Sequence, residues 1–299
     1  MPATSERHGR PSRGRPDPAP AAAERGADRT ASLVPDSLVP DDRLRPLTAA
    51  ETVRYARHLL LPQVGDEGQR RIRAAKVLVV GLGGLGSPVA LYLAAAGVGT
   101  IGLADFDVVE ESNLQRQVIH STSDTGRAKV DSAADRLVAL NPAVRFVRHP
   151  TGLTAGTPPP DDPATVVAGY DVVVDCTDSF GARYLLNEVC LAGGTPLVHG
   201  SVWQFHGQVT VLATTSGPCY RCLYPEPPAP GQLPDPSRVG ILGVLPGIVG
   251  TVQATEVLKL VVGGPVLVGR VLQVDSWSMR FDEVRLAKDP ACPACGPLL

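Results

Sequence analysis

Residues 76–86 read Lys-Val-Leu-Val-Val-Gly-Leu-Gly-Gly-Leu-Gly, a short apolar run that leads directly into a G-x-G-x-x-G turn. The apolar run predicts a buried strand over 76–80. A helix is expected over 87–96, because Gly97 can adopt the left-handed conformation that commonly ends a helix. A second apolar strand is expected over 100–104. Strand, helix and strand in this order predict a βαβ unit with parallel strands.

The same alternation continues toward the C-terminus. Helices are expected over 129–140 and 183–192, with an all-apolar strand over 170–175 between them. Beyond residue 196 strands are expected over 197–202, 207–212, 271–275 and 280–286, and one long apolar helix is expected over 246–262. The predicted fold class is α/β: a Rossmann-like, mostly parallel sheet with helices on both faces, extended by antiparallel strands.

The charge balance excludes several classes of partner. The 299 residues include 28 Lys and Arg against 30 Asp and Glu, so no basic surface for nucleic acid is indicated. Apolar stretches such as 77–80 and 257–262 are shorter than the roughly 20 residues that span a bilayer, and no apolar signal core follows Met1. We therefore expect a cytoplasmic protein with no nucleic-acid or membrane partner.

The glycine turn predicts a phosphate site. Gly81, Gly83, Gly84 and Gly86 precede a helix whose N-terminal amides and dipole favour an anion. Asp105 ends the next strand, where an acidic side chain can bind a ribose hydroxyl. These features fit a nicotinamide-dependent dehydrogenase as well as an ATP enzyme, and taken alone they favour the dehydrogenase.

Three charged residues further along the chain reverse that preference. They are Arg116, Lys129 at a predicted helix start, and Asp178 after a predicted strand. Formation of an acyl adenylate brings a carboxylate against the α-phosphate of ATP and expels pyrophosphate, so cations and a magnesium-binding carboxylate are needed. Each residue by itself has an ordinary interpretation as a surface charge or a helix N-cap. Together they predict ATP chemistry, with Asp178 as the Mg²⁺ ligand.

The cysteines predict a structural zinc site. Four of the six form two C-x-x-C pairs, Cys219 with Cys222 and Cys292 with Cys295. Four thiolates make a closed tetrahedral site for zinc without an open position. Disulfides or a redox pair are the alternatives. The remaining cysteines, and the histidines, which show no metal-ligand spacing, are expected to pack or to lie at the surface: Cys176, Cys190, His58, His120, His149, His199 and His206.

The series of motifs resembles the sulfur-carrier adenylyltransferases of molybdopterin and thiamine biosynthesis, within the ubiquitin-activating-enzyme-like superfamily. The resemblance runs from about residue 54 to residue 296. It rests on Arg54-Tyr-Ala-Arg57, the glycine turn, Asp105-Phe-Asp107, Ser112-Asn-Leu-Gln-Arg-Gln117, Lys129, Asp175-Cys-Thr-Asp178, Cys219-Tyr-Arg-Cys222 and Cys292-Pro-Ala-Cys295-Gly296. It implies ATP- and Mg²⁺-dependent adenylation of the C-terminal glycine carboxylate of a ubiquitin-like sulfur-carrier protein that ends in Gly-Gly.

The resemblance also implies roles for single residues. The implied catalytic residues are Arg57, Arg116, Lys129 and Asp178, with Arg57 reaching the phosphates from the second subunit of a homodimer. Contacts with ATP are expected from Gly81, Gly83, Gly84, Gly86, Asp105, Asp107, Ser112, Asn113, Leu114, Gln115, Arg116, Lys129, Asp178 and Ser179.

Composition predicts the domain limits. Residues 1–45 are rich in Pro, Ala, Arg and Asp without an apolar period, so a disordered tail is expected. Thr48 and Glu51 have the spacing of a capping box that begins a first helix. A single adenylation domain is expected over 46–299, with a nucleotide-binding half (76–195) and an antiparallel, zinc-clamp half (196–299).

Three features depart from the family pattern. Pro236 replaces a cysteine that many relatives carry in the loop before residue 240, and the neighbouring Ser237 lacks a nearby base, so we expect no covalent thioester with the carrier. Ser179 replaces the usual Asn. The sequence ends at Leu299 without a sulfurtransferase domain, so a separate sulfur donor is expected, either a sulfurtransferase or a cysteine desulfurase.

Several alternatives stay open at this point. A related adenylating enzyme could act on a peptide or tRNA carboxylate instead of a sulfur carrier. From different classes, an NAD-dependent dehydrogenase or an inactive scaffold could share the fold. The Asn-Leu-Gln-Arg segment and the cysteine pairs count against the dehydrogenase, and the joint presence of Arg116, Lys129 and Asp178 counts against the scaffold.

Overall fold

The structure, a computed structural model, describes residues 38–214, 217–229 and 239–296. In this part of the chain the strands form one eight-stranded sheet in the order β3-β2-β1-β4-β5-β6-β7-β8. The strands are β1 Lys76–Val80, β2 Thr100–Ala104, β3 Arg145–His149, β4 Val172–Asp175, β5 Leu197–Trp203, β6 His206–Leu212, β7 Arg270–Asp275 and β8 Arg280–Arg285.

Strand direction divides this sheet into two parts. The strands β3, β2, β1, β4 and β5 are parallel to one another, and β6, β7 and β8 continue the sheet from β5 in antiparallel pairs. The predicted fold class is therefore confirmed. From β1 the chain runs outward through β2 and β3 and then returns to β4 on the other side of β1. The strand order reverses between β1 and β4, and ligands of open α/β sheets bind at such a point.

Helices cover both faces of the sheet. They are α1 Ala49–Arg54, α2 Ala56–Leu59, α3 Gly65–Ala74, α4 Gly86–Ala96, α5 Lys129–Leu140, α6 Pro163–Val167, α7 Phe180–Gly193, α8 Tyr220–Leu223 and α9 Val244–Val262. Val77 and Val79 of β1 join the core under α4 and α9, whereas Leu78 and Val80 join the core under α7. A strand that is buried on both faces needs apolar residues throughout, which explains the uninterrupted run of β1.

The predicted elements agree with the structure where both faces of a strand are buried. The bounds of β1, β2 and α5 were predicted to the residue. The sequence did not predict α3, β3, α6 or α8. β3 was missed because it is an edge strand, in which Arg145 and Arg148 are exposed and interrupt the apolar pattern.

The packed region begins before the predicted boundary at residue 46. Val39 is fully buried in the main core. Arg43 binds the carboxylate of Asp171 with both distances 2.8 Å. A single buried valine produces no periodic signal, so composition placed the boundary too late. The expectation of a disordered tail falls, for residues 1–37, outside the described residues.

The helix α9 is long and apolar enough to span a membrane by length and composition. It packs, however, against α3, α4, β5 and β6. Its residues Leu245, Val249 and Val257 are fully buried there. The apolar character of α9 therefore reflects its place in the core of the domain.

Candidate active site

A cavity of about 1290 Å³ opens at the carboxyl ends of β1 and β4, where the strand order reverses. Nine of the residues expected to contact ATP line this cavity: Gly81, Gly83, Gly84, Asp105, Asp107, Arg116, Lys129, Asp178 and Ser179. They come from five separate chain segments. Parallel strands bring these segments together because the carboxyl ends of such strands meet at one edge of the sheet.

The glycine turn requires glycine at two positions for different reasons. Gly81 has a φ of +91°, and its N–H donates to the carbonyl of Ala104 at 2.8 Å. A Cβ on Gly86 would lie only 1.9 Å from the carbonyl oxygen of Gly81. Gly86 therefore lets the helix α4 begin close against the loop, and it does not line the cavity. Gly83 and Gly84 do line it.

Asp105 fixes the glycine loop from the side of β2. One of its carboxylate oxygens accepts a hydrogen bond from the N–H of Leu82 at 2.6 Å, and the other accepts one from the N–H of Asp107 at 2.8 Å. The side chain is largely buried, at 9% exposure. Asp105 thus shapes the loop, in addition to the ribose contact predicted for it.

His120 holds the same loop through the backbone carbonyl of Leu82, a contact that the sequence did not reveal. Its Nε2 lies 3.0 Å from the carbonyl oxygen of Leu82, and its Nδ1 lies 2.8 Å from Oγ of Ser132. Burial lowers the pKa of His120 and outweighs the hydrogen bond to Leu82. A carbonyl can only accept, so the neutral ring carries its proton on Nε2 and accepts from Ser132.

The two predicted cations reach the cavity and already have partners. Nζ of Lys129, the first residue of α5, lies 2.8 Å from the carboxylate of Asp107. Arg116 donates from Nη2 to Oδ1 of Asn113 at 2.7 Å. These partners hold both cations in place at the cavity wall.

Asp178 and Ser179 stand at the start of α7. Oγ of Ser179 accepts a hydrogen bond from the N–H of Ala182 at 3.3 Å and so caps the helix. The exposed carboxylate of Asp178 lines the cavity. It has no hydrogen-bond or salt-bridge partner among the residues that the structure describes. Asp178 is therefore free to accept a ligand.

Other predicted residues lie away from the cavity wall. Ser112 and Asn113 donate to the carboxylate of Glu110, at 3.4 and 3.1 Å. The other predicted contacts that do not line the cavity are Gly86, Leu114, Gln115 and Arg57. Arg57 is exposed on α2. The structure of one chain thus does not bring Arg57 to the site.

The cavity extends beyond the predicted nucleotide residues. Its wall continues across β5, β6 and β7 to Arg280 and Asp282 of β8, and it includes Tyr220, Tyr224 and Arg183. No local sequence signal pointed to these residues. Arg280 and Asp282 reach the cavity through the pairing of β6, β7 and β8, whereas Arg183 lies on α7 and Tyr220 on α8. His199 does not line the cavity. It is a polar residue within the largely apolar strand β5, and this break in the pattern is visible in the sequence.

The four paired cysteines form one cluster. The sulfur atoms of Cys219 and Cys222 lie 3.9 Å apart, those of Cys219 and Cys292 3.6 Å, and those of Cys222 and Cys295 3.4 Å. All four sulfurs lie within 4.8 Å of one another. Four sulfurs at tetrahedral positions around a Zn²⁺ ion, each about 2.3 Å from it, are about 3.8 Å apart. The cluster therefore has the geometry to bind one metal ion.

The surroundings of the cluster shift the pKa values of its thiols in different directions. Burial raises the pKa of Cys292, but the N–H groups of Cys295 and Ala294 and the neighbouring thiols outweigh burial and lower it to about 7. Burial raises the pKa of Cys219 to about 11. A cation at the centre would favour the thiolate form of all four.

The remaining predicted features have ordinary places or lie outside the described residues. Cys176 and Cys190 are buried in the two cores, and burial raises the pKa of both thiols, so they are not activated nucleophiles. Pro236 and Ser237, on which the expectation about a thioester rests, lie outside the described residues.

Comparison with known proteins gives the same family over most of the chain. The model of the ThiF family matches residues 55–294. A protein of Haloferax volcanii named SAMP-activating enzyme E1 is 49% identical over 251 residues, which cover 84% of this chain and 91% of that protein. The sulfur carrier protein adenylyltransferase of Thermus thermophilus is 46% identical over 255 residues, covering 83% of this chain and 92% of that protein.

Some similar proteins are longer. A probable adenylyltransferase/sulfurtransferase named MoeZ from Mycobacterium tuberculosis is 46% identical over 252 residues, but this chain covers only 63% of its length. Among solved structures, Escherichia coli MccB in complex with MccA-N7isoASN has a TM-score of 0.70 at 20% identity, covering 86% of this chain and 77% of that one. At this identity the likeness concerns the fold. The match to the family model and the identities above 30% establish that the chain belongs to the ThiF family.

Proposed function

We propose that this protein uses ATP to adenylate the C-terminal glycine carboxylate of a ubiquitin-like sulfur-carrier protein, releasing pyrophosphate. The observation that carries the proposal is the meeting of the glycine loop with Arg116, Lys129 and Asp178 on one cavity. The names of similar proteins support the substrate class, since one of them is called a sulfur carrier protein adenylyltransferase.

The chemistry follows from the charges at the cavity wall. A carboxylate oxygen of the carrier attacks the α-phosphorus of ATP, the bond from that phosphorus to the bridging oxygen breaks, and pyrophosphate leaves. Arg116 and Lys129 offset the negative charge that gathers on the phosphates. Asp107 and Asn113 keep these cations in position before ATP binds. The glycine loop and the start of α4 provide backbone N–H groups for the phosphates.

Asp178 fits the role of a magnesium ligand. Its carboxylate is exposed to the cavity, and carboxylate oxygens are preferred ligands of Mg²⁺. A magnesium ion there would neutralise phosphate charge.

The outer part of the cavity suits the tail of a carrier protein. It runs along β5, β6 and β7 toward Arg280 and Asp282. Next to it, the hairpin between β7 and β8 exposes Trp277, Met279 and Phe281. We infer that the folded body of the carrier binds this apolar surface while its Gly-Gly tail enters the cavity.

The cysteine cluster fits structural zinc. All four positions of a tetrahedral site are supplied by sulfur, which leaves none for water or substrate. The zinc would connect α8 to the segment that holds Cys292 and Cys295, without a part in the adenylation.

A homodimer accounts for the position of Arg57. This arginine is exposed, and so are the nearby Leu60 and Leu61. Burial of these leucines against a second subunit would carry Arg57 toward the partner. We propose that it reaches the phosphates in the partner's cavity. A separate sulfur donor, which would attack the acyl adenylate, and a cytoplasmic location complete the proposal.

ATP–pyrophosphate exchange with a panel of carriers that end in Gly-Gly tests the function. We expect exchange with at least one carrier and none with the same carrier lacking its last glycine. Arg116→Ala should lower the rate by about 100-fold or more. The matched control is Arg136→Ala, because Arg136 is exposed on α5 and does not line the cavity.

Other outcomes would point elsewhere. Absence of exchange with every carrier would overturn the proposal. Exchange with a peptide or a tRNA alone would assign the same chemistry to a different carboxylate. Tight binding of NAD without any ATP binding would favour the dehydrogenase.

A further inference from the structure

A carboxylate and an imidazole lie side by side in the middle of the sheet. Asp175 of β4 and His199 of β5 are register partners, and Oδ2 of Asp175 lies 2.7 Å from Nδ1 of His199. Both residues have an exposure of 0%, and neither lines the cavity. Apolar residues in place of such a buried pair are often as stabilising or more so. Stability is therefore not a sufficient explanation of the pair.

The environment defines the protonation of this pair. Burial lowers the pKa of His199 and outweighs the nearby carboxylate. Burial raises the pKa of Asp175, but the hydrogen bond from His199, the charge of Arg183 and the hydrogen bond from Thr177 outweigh burial and lower it. Asp175 is thus ionised, and the neutral ring of His199 donates from Nδ1.

The carboxylate of Asp175, which is hydrogen-bonded to His199, also binds Thr177. Oδ1 of Asp175 accepts hydrogen bonds from the N–H of Thr177 at 3.0 Å and from its Oγ1 at 2.7 Å. From the other side, Arg183 donates to the carbonyl oxygen of Thr177 at 3.1 Å. Every polar group of Thr177 is therefore bound, and the next residue is Asp178, whose carboxylate faces the cavity.

The ring of His199 is itself held in place. The ring of Tyr220 packs edge-on against it, with centroids 5.0 Å apart. Tyr220 is buried, lies between Cys219 and Cys222, and donates from its N–H to Oδ1 of Asn187 at 2.7 Å. A rotation of His199 away from Asp175 would have to displace Tyr220. The pair is therefore a fixed support under the turn.

We propose that His199, acting through Asp175, is a positioning residue that holds the Thr177-Asp178 turn so that the Asp178 carboxylate is presented to the cavity. The role of this carboxylate as a magnesium ligand rests on the proposed function. Neither His199 nor Asp175 touches the reacting atoms.

Two substitutions of His199 separate positioning from packing. His199→Leu fills the space but removes the donor. His199→Asn places an amide N–H close to the position of Nδ1. Amide hydrogen exchange in the protein without nucleotide is the first measurement. The leucine variant should exchange the Thr177 amide about tenfold faster or more, the asparagine variant should stay near the wild type, and β1 should be unchanged in both.

The second measurement is the magnesium dependence of ATP–pyrophosphate exchange. The leucine variant should need about tenfold more Mg²⁺ for half-maximal rate, with kcat at saturating Mg²⁺ within about threefold of the wild type. The asparagine variant should restore the wild-type requirement. A merely structural role would lower Tm and the amount of active enzyme in both variants without changing the magnesium requirement.

Each result decides the proposal. Unchanged exchange of the Thr177 amide in the leucine variant would overturn it, and so would faster exchange with an unchanged magnesium requirement. If the leucine variant does not fold, Thr177→Val removes the next hydrogen bond in the same series, from Oγ1 of Thr177 to Asp175, and should raise the magnesium requirement in the same way. If the wild type is inactive with every carrier, the proposed function fails, while amide exchange still decides whether His199 holds the turn.

Discussion

Two cations of the cavity are held by neighbours from their own region of the chain. Lys129 is paired with Asp107, and Arg116 with Asn113. Asp105 and His120 bind the two polar backbone groups of Leu82. Such contacts hold the site in its shape before a ligand arrives, so that little reorganisation accompanies catalysis.

His120 gives a prediction about pH. Its pKa is lowered in the folded protein by burial, so between that pKa and its ordinary value of 6.5 the unfolded chain binds a proton that the folded protein does not. The free energy of unfolding should therefore fall as pH drops below about 6.5. His120→Gln keeps a donor for the carbonyl of Leu82 but does not titrate.

Urea unfolding at several pH values between 8 and 5 provides the measurement. The glutamine variant should be less stable than the wild type at pH 8, and the difference should shrink as the pH falls. Half-buried His149 and buried His199, whose pKa values are also lowered by burial, contribute equally to both proteins and cancel in the comparison. Parallel stability curves for the two proteins would contradict the assigned protonation of His120.

At the scale of elements, the junction of β1 with α4 is limited by space. A Cβ on Gly86 would overlap the carbonyl of Gly81 at 1.9 Å, so Gly86→Ala must move either the loop or the helix. We expect loss of most ATP binding and a lower Tm, because this loop forms the cavity floor below Gly83 and Gly84. Isothermal titration with ATP and thermal unfolding measure the two effects.

The matched control for this substitution is Gly181→Ala. Gly181 lies near the start of α7, where an added Cβ has no atom within 4 Å and φ is not positive. This variant should bind ATP normally and gain up to about 1 kcal/mol of stability, since alanine restricts the unfolded chain. Equal behaviour of the two alanine variants would show that the close approach at Gly86 has no consequence.

At the scale of the whole molecule, the cysteine cluster connects α8 with the segment that carries Cys292 and Cys295. Metal analysis of the purified protein should find one zinc ion per chain. Cys292→Ser should release it and lower Tm by at least about 5 °C. Cys190→Ala, which removes a buried thiol outside the cluster, should retain the zinc. Absence of zinc in the wild-type protein would exclude a zinc clamp.

The proposed homodimer can be tested by mixing two inactive variants. Arg57→Ala should lack the arginine supplied to the partner, and Asp178→Asn should lack the carboxylate of its own cavity. Mixed dimers contain one complete cavity, so an equal mixture that has exchanged subunits should recover about a quarter of the wild-type exchange rate. Failure to recover activity, with mixed dimers shown by mass spectrometry, would place Arg57 at the cavity of its own chain or outside it.

The sequence alone was sufficient for the central part of the fold. β1, β2 and α5 were predicted to the residue, because burial on both faces demands an unbroken apolar run and because a helix repeats its apolar positions regularly. The C-x-x-C spacing likewise predicted that four cysteines would meet, as they do. The apolar patterns are local features of the sequence, and the C-x-x-C spacing occurs in only a few kinds of structure.

The tertiary structure determined the features that local sequence patterns do not encode. The edge strand β3 carries exposed arginines, so its pairing with β2 determines that it is a strand. Strand pairing and the paths of the loops determined which of the residues predicted to contact ATP reach the cavity. Gly86 and Asn113, for example, do not line it. The Asp175–His199 pair exists only because β4 and β5 align these two residues in register. A contact between strands depends on register, and register is set by the packing of the whole sheet.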